Sequence, residues 1–236
     1  MKEGAQMLAR IMEELGKRVE PGITTKELNM AAESHIFKFG AKPSFLNYQG
    51  FPASLCVSIN EEIVHGIPSN RKLKEGDIVS LDLGLIYKGF HSDMARTFPV
   101  GKISFEAQRL IKVTKKSLRL GIRKVRPGNK IGAIGNTIQR YIESQGFNVV
   151  RDLCGHGIGK ELHEDPQILN YGKRREGEVM KAGMVFCLEP MVTVGSYRIL
   201  KKEDGFSYIT SDNSLSCHFE DEVLVGKDGF LVLTKV

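Results

Sequence analysis

Apolar residues recur at helical spacing near the start of the chain: Met7, Leu8, Ile11, Met12 and Leu15. This pattern predicts an amphipathic helix over residues 4–19. The segment 19–22, Val-Glu-Pro-Gly, interrupts the pattern. The Thr-x-x-Glu sequence at 24–27 is a capping box, and it opens a second predicted helix that ends near Gly40. The start of the chain therefore predicts a pair of helices.

The same pattern returns in the second half of the chain. A basic helix is predicted over 105–125, the segment 125–128 reads Val-Arg-Pro-Gly, and a further helix is predicted from Lys130 to about Gly146. The two helix–Val-x-Pro-Gly–helix units are offset by 106 residues. A repeat of this kind indicates an internal duplication.

Strand-like sequence follows each helical pair. The segments are 54–59 and 77–100 in the first half, and 184–194, 206–210, 215–225 and 230–233 in the second. Helices with mostly antiparallel strands in two similar halves predict an α+β fold with a central site. We expect one domain over residues 1–236, divided by the duplication into roughly 1–103 and 104–236.

The segment 77–101 predicts a β-hairpin. It begins with a run of β-branched and apolar residues typical of a buried strand, and Lys88-Gly89 supplies a turn. If that turn is a two-residue loop closed by Tyr87 and Phe90, the pairing of every residue in the hairpin is fixed.

Two carboxylates lie on one face of this hairpin. With the turn above, Asp93 faces Gly84, and Asp82 is a diagonal neighbour of Asp93. Diagonal positions are roughly 7–8 Å apart at the backbone, so both carboxylates reach a pair of metal ions about 3.5–4 Å apart. The alternative is a solvent-facing hairpin with scattered acids, because a bulge would change the facing.

Two histidines and two further acids stand out in the second half. His156 lies among three glycines in segment 154–159, and His163 follows seven residues later. Glu189 and Glu220 lie within apolar strand-like sequence, where a carboxylate needs a partner. Together with the two hairpin acids they give four carboxylates and one imidazole, His156. This oxygen-rich set suits a pair of divalent ions better than a structural zinc.

Composition narrows the protein class. Hydrophobic residues make up 41% of the chain and charged residues 26%, as in ordinary globular proteins. No stretch reads as a signal peptide or membrane span. The four cysteines, Cys56, Cys154, Cys187 and Cys217, are widely spaced with no Cys-x-x-Cys pair, so we expect reduced thiols and a cytoplasmic protein.

The formal net charge of +6 is concentrated in the predicted basic helix and its end. The cations there are Arg109, Lys112, Lys115, Lys116, Arg119, Arg123, Lys124 and Arg126. A solvated helix face is the favoured interpretation, and transient ribosome association is the alternative. We expect no membrane partner and no specific DNA site.

Six segments resemble type I methionine aminopeptidases, in the larger family that also holds aminopeptidase P and prolidase. They are SINEEIVHGIP at 58–68, DIVSLDLG at 77–84, HSDMARTFPVG at 91–101, CGHGIGKELHEDP at 154–166, LEPMV at 188–192 and SLSCHFEDEVLV at 214–225. The resemblance covers nearly the whole chain. It implies a single catalytic metallopeptidase domain with the pita-bread fold, an α+β architecture of two pseudo-twofold halves with a central antiparallel sheet and outer helices.

The resemblance also implies a metal site for two divalent ions, Co, Mn, Fe or Zn. Asp82 would chelate one ion, and Asp93 and Glu220 would bridge both. His156 and Glu189 would complete the shell of the other ion.

Substrate-binding residues follow from the same resemblance. His65 would contact the scissile amide, and His163 would steady the substrate carbonyl. The pocket for the methionine side chain would use Phe45, Tyr48, Phe51, Cys56, Leu162 and Phe206. A mostly apolar, aromatic pocket suits a thioether.

The implied reaction removes methionine from the N-termini of nascent proteins and peptides with a small second residue. Two ions activate a hydroxide, and Glu189 takes the proton from water and passes it to the leaving amine, with His65 assisting at the nitrogen. The resemblance implies a monomer. Because family chains carry a short stretch before the first helix, we expect the true start to precede residue 1.

Three positions depart from the type I pattern. Asp221-Glu222 stand where bacterial enzymes usually have His-Thr, and His218 replaces the usual Gln. The first departure resembles aminopeptidase P, which makes Xaa-Pro cleavage the alternative, although the large N-terminal domain of that branch is not in the sequence. A non-catalytic binding module on the same fold is the other alternative. Retention of all five metal ligands argues against it.

Overall fold

Four α-helices lie within residues 1–235, the part of the chain that the computed structural model describes. They are α1 (Lys2–Gly16), α2 (Thr25–Lys38), α3 (Phe105–Ile122) and α4 (Gly132–Ser144), and a short 3₁₀ turn spans Tyr48–Gly50. All four predicted helices are confirmed, with ends that differ by a few residues. None of the helices in this part of the chain has the length and apolar character needed to cross a bilayer.

The capping box at the start of α2 is confirmed. The Thr24 hydroxyl accepts a hydrogen bond from the Glu27 backbone N–H at 3.1 Å, and the Glu27 carboxylate accepts one from the Thr24 N–H at 2.8 Å. These reciprocal bonds satisfy backbone donors that the first helical turn leaves free.

Fifteen strands accompany the helices in the same residues. They are β1 (Lys42–Pro43), β2 (Leu55–Ile59), β3 (Glu62–Val64), β4 (Ile78–Tyr87), β5 (Phe90–Pro99), β6 (Asn148–Val149), β7 (Gly155–Gly157), β8 (Glu164–Ile168), β9 (Val185–Leu188), β10 (Met191–Thr193), β11 (Ile199–Lys201), β12 (Tyr208–Thr210), β13 (Ser216–His218), β14 (Asp221–Val225) and β15 (Phe230–Val232). Their pairings are antiparallel. Strand β4 pairs with β1, β2 and β5; the other sheets have the orders β13-β10-β6, β11-β12-β3 and β15-β14-β9-β7-β8.

Two large apolar clusters form the core. One packs α1 and α2 against the β4–β5 hairpin and extends to Val100. The other packs α3 and α4 against β9, β10, β13 and β14; apart from Ile78, its buried members begin at Ala107. The clusters therefore divide the chain near the predicted boundary at residue 103. This division supports the duplication, which remains a prediction.

The β4–β5 hairpin has the predicted register. Lys88 and Gly89 have φ of 50° and 79°, as a type I′ turn requires at both central positions. Pairing runs without a bulge from Tyr87–Phe90 to Ile78–Pro99. Because the side-chain period of a strand is two residues, this register fixes which residues share each face of the hairpin.

Two of the predicted continuous strands are each divided in two. The segment 184–194 contains β9 and β10, separated at Glu189-Pro190, and the segment 215–225 contains β13 and β14, separated at Phe219-Glu220. Proline lacks the N–H that a continuing ladder needs. In both cases the chain leaves one sheet and joins another, since β9 pairs with β14 whereas β10 pairs with β13. Glu189 and Glu220 therefore lie at two adjacent corners.

Candidate metal centre

One cavity of about 300 Å³ lies where these sheets meet. All thirteen residues singled out from the sequence line it: Phe45, Tyr48, Phe51, Cys56, His65, Asp82, Asp93, His156, Leu162, His163, Glu189, Phe206 and Glu220. Its wall also includes Gln49, Leu153, Lys201, Gly205 and Tyr208, for which the sequence carried no signal. The structure thus brings residues from both halves of the chain to a single site.

Three carboxylates converge on one side of the cavity. Asp82 and Asp93 project from the hairpin, where Asp82 pairs with Ala95 and Asp93 with Gly84. The Glu220 backbone N–H donates to the Ala95 carbonyl at 2.9 Å, which fixes this corner beside the hairpin. One oxygen from each carboxylate lies within 4.8 Å of the others. This spacing allows a single cation to contact all three.

His156 and Glu189 face each other next to these carboxylates, and a His156 ring nitrogen lies within 4.8 Å of a Glu220 oxygen. His156 Nδ1 donates to the Gly157 carbonyl at 2.9 Å, so Nε2 keeps a free lone pair, and this atom is 3.7 Å from Glu189 Oε1. The flanking glycines are required by close packing. A Cβ on Gly155 would lie 2.2 Å from the Cys187 carbonyl oxygen, and one on Gly157 would lie 2.3 Å from that of Asp165. The glycines therefore allow the strand carrying His156 to sit tightly beside its neighbours.

The electrostatics of the cluster favour a bound cation. Burial raises the pKa of Asp82 from 3.8 to about 6. Burial, together with repulsion from neighbouring carboxylates, raises the pKa of Asp93, Glu189 and Glu220 well above their usual range. Asp82 Oδ1, Asp93 Oδ1 and Glu220 Oε1 are buried without a hydrogen-bond partner in the described chain. Buried, unpaired carboxylate oxygens are compensated by divalent ions, which prefer such ligands.

A neutral imidazole completes this donor set. Burial lowers the pKa of His156 to about 4, so its Nε2 lone pair is available at neutral pH. The residues present thus fit a pair of divalent cations, because four carboxylates and one imidazole supply hard oxygen and nitrogen ligands.

His163 contacts both His156 and Tyr48 in the cavity wall. Its Nδ1 forms a hydrogen bond of 2.9 Å with the Tyr48 hydroxyl, and its ring centroid is 4.4 Å from that of His156. Because Nδ1 is engaged, Nε2 is the ring nitrogen left to contact a ligand. The Tyr48 bond thereby orients the imidazole.

His65 approaches the cavity from a strained backbone. It has φ of 58°, a left-handed conformation that is uncommon for a residue other than glycine. Burial lowers its pKa to about 4. The following Gly66 packs so closely that a Cβ would lie 2.1 Å from the Val57 carbonyl oxygen. Such strain is often found at functional positions.

An apolar pocket adjoins the carboxylates. Phe45, Phe51, Cys56 and Leu162 are buried in one apolar cluster. The rings of Phe51 and Phe206 meet edge to face with centroids 5.5 Å apart. The apolar character of this pocket suits a hydrophobic side chain.

Glycine 84 connects the pocket to the hairpin. A Cβ at Gly84 would lie 2.7 Å from a Phe45 ring carbon and 2.9 Å from Ser44 Cβ. Since Gly84 pairs with Asp93, the same hairpin position supports both the pocket wall and a carboxylate.

The departures from the family pattern have visible contacts. The Asp221 carboxylate pairs with the Arg96 guanidinium, which also donates to the carbonyls of Ala95 and Glu220. His218 Nε2 lies 3.4 Å from Glu189 Oε2. The sequence marked these positions as unusual but did not identify their partners.

The chain is similar to known proteins along its whole length. The model of metallopeptidase family M24 matches residues 1–227. Over 236 residues the chain is 48% identical to a methionine aminopeptidase of Clostridium perfringens, covering 100% of this chain and 95% of the relative. The crystal structure of methionine aminopeptidase from Rickettsia prowazekii matches with a TM-score of 0.98 at 42% identity, covering 99% of this chain and 95% of that one.

A more distant match supports the fold alone. The prolidase from Pyrococcus horikoshii has a TM-score of 0.81 at 22% identity, and the match covers 100% of this chain and 60% of that one. With the closer structure above, it confirms the predicted α+β pita-bread fold.

Proposed function

Because the chain belongs to metallopeptidase family M24 and matches methionine aminopeptidases over its whole length, we propose that it removes N-terminal methionine using two divalent ions in the central cavity. It is a metal-dependent aminopeptidase, as the six sequence segments predicted. The number of ions and the roles of individual residues are the parts that we propose. The observation that carries them is the cluster of buried, unpaired carboxylate oxygens beside an apolar pocket.

The carboxylates would divide between the two ions. Asp82 would hold one ion, His156 and Glu189 would hold the other, and Asp93 and Glu220 would serve both. When bound, the ions supply an activated water and polarise the substrate carbonyl. Mn, Fe, Co and Zn all suit oxygen and imidazole ligands, so the donor set leaves this choice open.

The protein groups perform the remaining steps. Glu189 accepts the proton of the attacking water and returns it to the leaving amine. His163, held by Tyr48, donates a hydrogen bond to the carbonyl oxygen as negative charge develops there. His65 contacts the nitrogen of the scissile bond, and the apolar pocket holds the methionine side chain, which aligns the carbonyl for attack.

The substrates are the N-termini of nascent polypeptides and peptides with a small second residue. One copy of the chain supplies all thirteen cavity residues, which supports a monomer. The four cysteines are free thiols, which supports the reducing environment of the cytoplasm.

We also propose transient ribosome association through α3. Lys115, Arg119 and Arg123 line a groove of about 530 Å³ together with Lys235. Within residues 1–235 these cations form no salt bridge, and the acid in the groove, Asp221, pairs with Arg96, which also lines the groove. Unpaired cations in a concave surface favour contact with RNA phosphates.

Sedimentation with ribosomes tests this association. Lys115→Glu combined with Arg119→Glu should abolish binding at about 50 mM salt, and the native protein should bind more weakly at about 200 mM. Lys26→Glu, an exposed charge change on α2, is the matched control. Equal sedimentation of both variants with ribosomes would contradict the proposal.

Peptide hydrolysis tests the main proposal. Metal-stripped protein, with and without added Mn(II), Co(II) or Fe(II), is incubated with Met-Gly-Met-Met and with Gly-Pro-Leu, and released amino acids are measured. We expect metal-dependent methionine release, lost in Asp93→Asn with reduced metal content, and retained in the matched control Asp228→Asn, which alters an exposed acid. Glycine release from the proline peptide instead would place the chain in the Xaa-Pro branch.

A further inference from the structure

His218 is a buried histidine behind the cavity wall. It is 1% exposed and lies at the end of β13, two residues before Glu220. Its Nε2 is 3.4 Å from Glu189 Oε2, whereas the other oxygen of that carboxylate faces His156 Nε2 at 3.7 Å. Glu189 is therefore placed between two imidazoles, one on the cavity wall and one behind it.

The ring of His218 has no competing partner. Within the described residues, neither Nδ1 nor Nε2 makes a hydrogen bond that meets strict geometry, and both atoms are shielded from solvent. The 3.4 Å separation is slightly longer than an ordinary N–H···O bond, so a small side-chain rotation forms one. Since an unpaired buried donor is costly, the carboxylate is the partner that this imidazole requires.

The backbone of His218 is held by the hairpin. The Thr97 hydroxyl accepts a hydrogen bond from the His218 N–H at 3.0 Å and lies 2.8 Å from the His218 carbonyl, to which it donates. The Ser80 hydroxyl lies 2.8 Å from the same Thr97 oxygen. Ser80 and Thr97 belong to β4 and β5, which also carry Asp82 and Asp93. The backbone of His218 is thus fixed relative to the carboxylates of the other half.

The chemistry of the imidazole ring suits a donor role. A neutral imidazole carries one N–H and therefore contacts the carboxylate as a hydrogen-bond donor without adding a second buried charge.

We propose that His218 is a positioning residue that donates its Nε2 hydrogen to Glu189 Oε2 and thereby directs Oε1 towards His156 and the metal side of the cavity. The inference rests on the proposed role of Glu189. Without the donor, the Glu189 carboxylate gains rotational freedom, so both its proton transfer and its contribution to metal binding weaken.

Three variants test the hydrogen bond. His218→Leu removes the donor with an apolar side chain, and His218→Met serves the same purpose if the leucine variant does not fold. His218→Gln retains an N–H donor. Met191→Leu on the paired strand β10 is a volume-conserving control for packing. Circular dichroism and thermal unfolding verify that each variant keeps the native fold.

We expect kcat for Met-Gly-Met-Met to fall about 10–100-fold in the leucine or methionine variant, with KM changed little. Co(II) affinity, measured by calorimetry, should fall by a similar factor, and the visible spectrum of bound Co(II) should change. His218→Gln should recover most of both properties, and Met191→Leu should behave as the native protein.

A folded leucine or methionine variant with native kcat and Co(II) spectrum would overturn the proposal. So would a glutamine variant that loses as much Co(II) affinity as the apolar ones. Because Co(II) binding needs no turnover, the spectrum tests His218 even if the native protein releases no methionine. Failure of the proposed hydrolysis is therefore distinguishable from failure of this inference.

Discussion

The buried carboxylates make the metal-free protein sensitive to pH. Removing metal with a chelator and raising the pH from 5 to 8 should lower the free energy of unfolding. Burial raises the pKa of Asp82 from 3.8 to about 6 and that of Glu222 from 4.5 to about 8. An acid with a raised pKa keeps its proton longer in the folded state. Its contribution to stability is therefore present at low pH and is lost as pH rises through the folded pKa.

The size of the effect follows from these shifts. One pKa unit corresponds to about 1.4 kcal/mol of unfolding free energy. The Asp82 shift therefore contributes about 3 kcal/mol to stability, and this contribution is lost between about pH 4 and pH 6. The Glu222 shift contributes about 5 kcal/mol to the free energy of unfolding, and this contribution is lost as the pH approaches about 8. For a domain of this length each kcal/mol lowers Tm by about 2–4 °C. Only about half of the Asp82 contribution is lost above pH 5, so in this pH range Asp82 alone predicts a decrease in Tm of about 3–6 °C.

Bound metal should reverse this dependence. Ligand carboxylates must be deprotonated to bind a cation, so metal affinity and the stability that it adds increase with pH. Thermal unfolding is followed by circular dichroism from pH 5 to pH 8, in chelator and in Mn(II). Metal-free protein should lose Tm as pH rises, and the difference between the two conditions should widen.

Asp82→Asn provides the control, because the amide does not titrate. Its metal-free Tm should fall less between pH 5 and pH 6 than that of the native protein, and Mn(II) should stabilise it less. A metal-free protein whose Tm is equal or higher at pH 8 than at pH 5 would refute this reasoning about the buried acids.

Two further predictions concern contacts around the site. Tyr48→Phe removes the hydroxyl bonded to His163, so kcat should fall about 2–10-fold with KM little changed; unaltered kcat would show that His163 is oriented without it. The paired side chains of Asp221 and Arg96 are 13% and 22% exposed. Asp221→Asn weakens this pair and should lower the free energy of unfolding, measured in urea, by about 1–3 kcal/mol. A double-mutant cycle with Arg96→Met measures the coupling, and zero coupling would contradict an energetic role for the pair.

The hairpin was predictable because its information is local. A two-residue Lys88-Gly89 turn and a side-chain period of two residues determine that Asp93 faces Gly84 and that Asp82 lies diagonally. The helices were predictable for the same reason, since apolar periodicity and the Thr24 capping box operate within a few residues.

The corners at Glu189 and Glu220 were not predictable from periodicity. An apolar run indicates a buried strand but does not show where the chain changes sheets. Pro190 gave a local signal for one break, whereas the break at Glu220 depends on its bond to Ala95, 125 residues earlier. The partners of His218, Arg96 and Asp221 are equally long-range. The unusual residue types were visible in the sequence, but what they contact was not.

Corners also explain how the second half presents its acids. Within a strand, side chains two positions apart face the same side of the sheet. Acids supplied by a single strand would therefore all lie in one line along that strand. A corner releases the residue from this alternation. The backbone at such a corner lacks the regular hydrogen bonds of a strand. At Glu220, Arg96 provides them by donating to the Ala95 and Glu220 carbonyls while pairing with Asp221. The acid at position 221, which departs from the type I pattern, therefore holds the Arg96 guanidinium against the backbone carbonyl of Glu220. Since its side chain does not line the methionine pocket, its substitution should alter metal binding before it alters the preference for methionine.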